Sequence, residues 1–198
     1  KKSVMGECQE QFYNEEMMNK MDENKHLLGF ENGVYDFKQK CFRGGLPEDY
    51  ISFSTKTNYV PFDENNQQQL DIKAEIDDFM EKVFPNTELR EYMWDHAAST
   101  LIGENINQKF IIYTGVGGNG KSIWEDLLNL VLGDYADKIN IALLTQKRKS
   151  VGGPSPEIAK LKGRRFVSMD EPSAGDELNE GIMKQMTGGD EMEGRAMY

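Results

Sequence analysis

Cysteine is nearly absent: Cys8 and Cys41 are the only two in 198 residues. Two thiols cannot form a disulfide framework, so they read as ordinary free thiols and a reducing, intracellular compartment is expected. His96 has no Cys or His partner at metal-ligand spacing, which argues for a packed residue rather than a zinc ligand. No apolar run approaches the roughly 18 residues of a membrane span. The opening Lys1-Lys2-Ser3-Val4-Met5-Gly6-Glu7 lacks the apolar core of a signal peptide. Positive charge is also scarce, with 23 Lys and Arg against 34 Asp and Glu and a net charge of −11. That excludes a broad basic surface for duplex DNA. It leaves room for a ring that grips one strand with a few residues inside a pore.

What the chain does have is a soluble composition, 38% hydrophobic and 29% charged. Its length suits one α/β domain plus a smaller appendage. It neither begins with Met nor ends on an obvious stop at Met197-Tyr198, so a piece of a longer chain is expected.

The most informative stretch is Gly115-Val116-Gly117-Gly118-Asn119-Gly120-Lys121-Ser122. It has the form G-x-x-x-x-G-K-S/T of phosphate-binding loops. Backbone N–H groups can wrap a phosphate only where no Cβ intrudes and φ can turn positive, hence four glycines in eight positions. The apolar run Phe110-Ile111-Ile112-Tyr113 predicts a buried strand before the loop. Ile123, Leu127, Leu128 and Val131 recur at helical spacing and predict a helix after it. The orphan N–H groups and dipole of that helix favour an anion. Lys121 would then reach the β- and γ-phosphates of ATP, and the Ser122 hydroxyl would ligate Mg²⁺.

A second constellation is Arg165-Phe166-Val167-Ser168-Met169-Asp170-Glu171, an apolar strand ending in two acids. An acid at such a strand tip holds Mg²⁺ in phosphate-loop folds, so Asp170 is assigned to the metal. Glu171 beside it is placed to accept a proton from the attacking water.

The rest of the chain reads as scaffold. Met17, Met18 and Met21 have helical spacing and suit core packing. Leu27 to Phe37 predicts a β-hairpin turning at Asn32-Gly33 in the type I′ manner. Cys41–Arg43 and Tyr50–Ser54 predict further short strands. Leu70, Ile76, Phe79, Met80 and Val83 share one face of a helix that stops before Pro85. Leu89, Tyr92, Met93, Ala97 and Leu101 line a second that ends at Gly103, and Tyr92 and Trp94 read as core. Ile139 to Leu144 predicts a strand leading into the basic loop Lys147-Arg148-Lys149. Ser155-Pro156 opens a short helix. A longer helix carries Leu178, Ile182 and Met186, followed by a Gly-Gly break and a strand. The expected bounds are a small hairpin domain over 1–65, a helical collar over 66–104 and a nucleotide core over 105–198.

Together these motifs resemble superfamily 3 helicases, in particular the poxvirus-type helicase–primases of large DNA viruses and their phage and plasmid relatives. The resemblance rests on the Gly115–Ser122 loop, on Asp170-Glu171 before Pro172, and on Thr187-Gly188-Gly189-Asp190-x-Met192-x-Gly194-Arg195-x-Met197-Tyr198. The last looks like the family's third motif, with Met192, Gly194 and Met197 where Ile, Ala and Leu are usual. Leu28 to Phe37 resembles the domain that precedes the motor in the same viral proteins. The resemblance implies an AAA+-like P-loop NTPase core, ATP and Mg²⁺ as cofactors, a homo-hexamer with ATP between subunits, and other replication proteins as partners. It implies that Asp190–Tyr198 leads into a pore hairpin tracking single-stranded DNA. The family's sensor Asn and arginine finger lie beyond its third motif, so this chain by itself is expected to turn ATP over poorly. Two other classes remain open: a small P-loop kinase, and a non-catalytic nucleotide-binding module of a replisome.

Overall fold

The computed structural model describes residues 4, 6–8, 15–145 and 156–188. Its first sheet is a meander of β1 (Leu27–Phe30), β2 (Gly33–Asp36) and β3 (Cys41–Arg43), preceded by the short helix α1 (Glu15–Lys20). Two helices follow, α2 (Gln67–Val83) and α3 (Thr87–Ser99). The remainder holds α4 (Lys121–Leu132), β4 (Ala136–Ile139), α5 (Ala142–Thr145), α6 (Pro156–Ala159), β5 (Phe166–Met169) and α7 (Glu180–Gly188). β4 and β5 pair in parallel as a second, two-stranded sheet. The architecture is α/β with two small sheets and flanking helices.

The hairpin forms where expected but turns differently. Phe30 pairs with Gly33, so the connecting residues are Glu31 and Asn32, neither of which has positive φ. A type I′ turn requires it at both, so this turn is of another kind. Asn32 instead exchanges two hydrogen bonds with Tyr59, donating to its carbonyl at 2.9 Å and accepting from its N–H at 2.8 Å. Residues 50–54 are not a strand. Asp22 takes over the pairing role by accepting from the N–H groups of Ser52 at 2.7 Å and Phe53 at 3.0 Å.

α2 and α3 start on asparagine caps, whose side chains accept from Gln69 N–H at 3.3 Å and Leu89 N–H at 2.9 Å. Their apolar faces are only half used. Met80 and Met93 are buried, with Phe79, Ala97 and Leu101 packed beside them. Leu89, Tyr92 and Trp94 stay exposed, against the core role expected of them, as does Met17 of α1. The core joins the two sheets to α2, α3 and α4: Leu28 of β1 shares one buried cluster with Met80, Met93, Trp124, Leu128, Leu132 and Phe166. Burying one such side chain contributes about 1.5–3 kcal/mol.

The first sheet is fixed to the second through the outer edge of β1. Phe37 N–H bonds the His26 carbonyl, so by the antiparallel alternation the backbone groups of Leu27 and Gly29 point away from β2. Such an edge must be satisfied elsewhere. Thr55 N–H donates to the Gly29 carbonyl at 2.9 Å, and Gly29 N–H donates to the Tyr135 hydroxyl at 2.9 Å. The Arg165 guanidinium donates to the Leu27 carbonyl and also to the Leu101 carbonyl just past the end of α3. Arg165 stacks on the Tyr135 ring at 4.5 Å, and the Tyr135 hydroxyl donates a hydrogen bond to the Phe53 carbonyl at 3.1 Å. Tyr135 immediately precedes β4 and Arg165 immediately precedes β5, so both parallel strands begin on this joint.

Two expectations for the second sheet are corrected. Residues 110–113 run as a loop, because a strand needs a neighbour to pair with and, among the described residues, none pairs with them. The strand expected over 139–144 lies earlier, at 136–139, and residues 142–145 turn helical. The basic loop at 147–149, Ser155 and the motif from Gly189 onward fall outside the described residues.

Candidate functional site

The loop before α4 has the backbone its glycines allow. Gly118 has φ +74° and Gly120, the residue capping α4, has φ +84°, both in the left-handed region that side-chain-bearing residues avoid. The Gly120 carbonyl accepts the first helical bond, from Trp124 N–H at 2.9 Å. Nothing lies within 4 Å of where a Cβ on Gly117 or Gly118 would stand, so the space before that backbone is open. Gly120 faces the other way. A Cβ there would come within 2.7 Å of Val83 at the end of α2.

Lys121 folds back over the loop. Its Nζ donates to the carbonyls of Gly115 at 3.1 Å and Val116 at 3.4 Å, and to Asn119 Oδ1 at 2.9 Å. The cation thus sits where the loop's carbonyls converge. Ser122 is exposed on the first turn of α4, and Val116 is exposed at the loop's crest.

α4 is held by a face rotated from the expected one and overlapping it at Leu127 and Leu128. Trp124, Leu128 and Leu132, four residues apart, are buried, whereas Ile123 and Val131 are exposed. Behind the loop, Tyr113 gives a fixed start: its hydroxyl meets His96 Nε2 at 2.7 Å. Burial pushes the Tyr113 phenol up and the His96 imidazole down, so both are neutral near pH 7. Trp124 Nε1 is buried beside them, and its proximity to Tyr113 partly offsets the effect of burial on the phenol. His96 is therefore a packed residue, as its surroundings in the sequence suggested.

The two acids follow from the direction of the sheet. β4 begins just after the last turn of α4 and by Lys138 has come back level with Glu125, one turn into the helix. It therefore runs antiparallel to α4, and β5, parallel to β4, does the same. The Ser168 hydroxyl donates to Glu125 Oε1 at 2.6 Å, tying β5 to the first turns of α4. Asp170 and Glu171 consequently leave β5 at the end of the sheet where α4 begins. Asp170 is taken by Lys138 at 2.7 Å, and Lys138 also lies 3.6 Å from Glu125. Donating to the Asp170 carboxylate raises the Lys138 pKa, and the nearby Glu125 charge adds to this. The Asp170 side chain is 71% exposed.

Glu125, Lys138 and Ser168 were not among the residues singled out from the sequence. Glu125 stood four positions after Lys121, on the same helical row, which was the available signal. Lys138 had none, because the strand carrying it lies earlier than the expected one. Among the described residues, no group of three or more His, Cys, Asp or Glu side chains is gathered to hold a metal ion. The Ser122 hydroxyl and the Asp170 carboxylate are oxygen donors, of the kind that suits Mg²⁺ rather than zinc.

Comparison with known proteins gives the class first. Residues 1–85 match the family described as D5 N terminal like. The whole chain is 41% identical over 198 residues to putative helicase L207/L206 of Acanthamoeba polyphaga mimivirus, covering 100% of this chain and 20% of that protein. It is 32% identical over 197 residues to putative helicase 121R of Invertebrate iridescent virus 3, covering 98% of this chain and 20% of that one. It is 29% identical over 190 residues to putative primase C962R of African swine fever virus, covering 94% and 19%. The chain is thus similar to helicase–primase proteins of large DNA viruses, and it spans about a fifth of the length of these relatives.

Proposed function

We propose that this chain is the part of a viral replicative helicase–primase that holds the first half of an ATP site, in a P-loop NTPase core behind a D5 N-terminal-like region. The observation that carries this reading is the backbone of Gly115–Gly120. It is an open, glycine-built turn capping a 12-residue helix, with a lysine over its centre. A triphosphate supplies the negative charge that the helix N-terminus and Lys121 attract. Lys121 would exchange the three loop oxygens it now bonds for phosphate oxygens. Ser122 and Asp170 would hold Mg²⁺, which when bound neutralises charge on the transferred phosphoryl group. Glu171, next along the chain and exposed, would orient and deprotonate the attacking water. Hydrolysis in a homo-hexamer would drive movement along single-stranded DNA, as the resemblance implies.

The names of the relatives support a replication role, and the loop supports the ATP chemistry. The test is ATP hydrolysis by the full-length protein with and without single-stranded DNA. Stimulation by the strand, abolished by Lys121→Ala, is expected. Hydrolysis that responds to a small phosphate acceptor and ignores DNA would identify a kinase instead. DNA unwinding that survives Lys121→Ala would reduce the loop to a structural element.

A further inference from the structure

The apolar stripe of α2 is longer than the core that covers it. Ile72, Ile76, Met80 and Val83 fall on one side of the helix at spacings of four, four and three. The C-terminal half of the stripe is roofed, with Met80 wholly buried. The N-terminal half is not: Ile72 remains 50% exposed and Ile76 38%. Around these two lie Val60 and Phe62 on the segment leading into α2, and Trp94 on α3. They enclose an open groove of about 600 Å³ whose wall is nearly all hydrocarbon. Five large apolar side chains left in water on one contiguous surface mark an interaction site rather than ordinary exposure.

Charge says what fits. Residues 60–99 carry ten carboxylates against three cations, a net −7 of the chain's −11. At the rim Asp77 is paired with Lys73; elsewhere on the helix Asp78 is paired with Lys82 and Asp71 accepts from the Gln67 amide, and with Glu75 they leave α2 acidic overall. A phosphate backbone is repelled by this surface, and so is a second copy presenting the same acidic face. A partner helix with leucine-like anchors on one side and lysine or arginine on its flanks satisfies both the groove and the rim.

We propose that the α2–α3 groove is a docking site for a basic amphipathic helix of a partner protein. The apolar anchors enter between Ile72, Ile76 and Trp94, and the flanking cations meet the carboxylates of α2. The site is separate from the phosphate loop and stands whether or not that loop hydrolyses ATP.

The groove contains its own reporter, since Trp94 is exposed within it while the other tryptophan, Trp124, is buried. The experiment titrates the 198-residue chain with an 18-residue Lys/Leu amphipathic helix. Controls are a scrambled peptide of the same composition and a Glu/Leu helix. Trp94 emission should move to shorter wavelength with the Lys/Leu helix alone, saturating in the micromolar range. Ile72→Ser with Ile76→Ser should weaken binding at least tenfold while far-UV circular dichroism is unchanged, because both side chains are already partly in water. Trp94→Phe should remove the signal and leave most of the affinity when the peptide carries its own fluorophore. Equal binding of the scrambled peptide, or an unaltered affinity in the double serine variant, would overturn the proposal. So would concentration-dependent self-association of the chain that the serine pair abolishes, which would make a second copy the occupant.

Discussion

Replacing Arg165 with methionine tests whether the joint between the two sheets carries stability. The guanidinium is largely buried, and its partners are the carbonyls of Leu27 and Leu101 and the Tyr135 ring, 4.5 Å away. Burial desolvates the cation and so depresses its pKa. Two opposing effects follow from the substitution. Removing the cation relieves its desolvation cost, which favours the variant. Against that, two carbonyls lose their donors, at about 1–3 kcal/mol for each acceptor left dry. The cation–π contact, about 0.5–2 kcal/mol, is lost as well. Methionine has nearly the length to keep the space filled, so no large cavity term enters. We expect the carbonyls to dominate and the variant to lose about 2–4 kcal/mol. For a chain of this size that is a fall in Tm of roughly 5–15 °C. Urea unfolding followed by far-UV circular dichroism measures it, with Lys73→Met as a reference whose surface pair with Asp77 contributes about 0.5 kcal/mol or less. An Arg165→Met variant as stable as the wild type would show that desolvation cancels the hydrogen bonds and that the joint is held by packing alone.

Three further outcomes follow from the same structure. Gly29→Ala should cost more than about 3 kcal/mol, because its Cβ would stand 2.4 Å from the Phe53 carbonyl; thermal unfolding checks this, and a shift of only a degree or two contradicts it. His96 has its folded-state pKa pushed below the ordinary value of about 6.5, so the unfolded chain binds the proton more readily. Its contribution is therefore present above that value and is lost as the pH falls towards the lower folded one. Urea midpoints should decline from pH 7 to pH 5 in the wild type and decline less in His96→Gln, and identical slopes would refute the assignment. Gly120→Ala combines a left-handed φ of +84° with a 2.7 Å approach to Val83. It should lower Tm and weaken binding of a fluorescent ATP analogue at least tenfold in the full-length protein, and undiminished binding would mean that the loop's closing turn does not shape the site.

Much of the framework was legible where local chemistry decides the outcome. The apolar stripe of α2, the helix starting at Lys121 and the strand before Asp170 all follow from periodicity that neighbouring residues cannot easily overrule. The failures share a physical cause. Phe110–Tyr113 and Tyr50–Ser54 have the composition of strands, but a strand exists only by pairing. One of these runs is held by a side-chain bond from Tyr113 to His96 and the other by the Asp22 carboxylate. Periodicity put Leu127 and Leu128 of α4 against the core correctly but added Ile123 and Val131 in place of Trp124 and Leu132, because it does not distinguish the two overlapping rows until a sheet is laid against one of them. Of the site, the glycines and Lys121 could be read directly. The chain of Ser168, Glu125, Lys138 and Asp170 could not, because it depends on the direction in which β5 passes α4.

The contact between Gly120 and Val83 has a mechanical consequence. The last turn of the phosphate loop rests on the final residue of α2, within the segment matching the D5 N-terminal-like family. Any side chain at position 120 would have to displace that helix end, because a Cβ there would stand 2.7 Å from Val83. A substitution at Gly120 is therefore felt on both sides of residue 85, in the loop and at the end of the amino-terminal region.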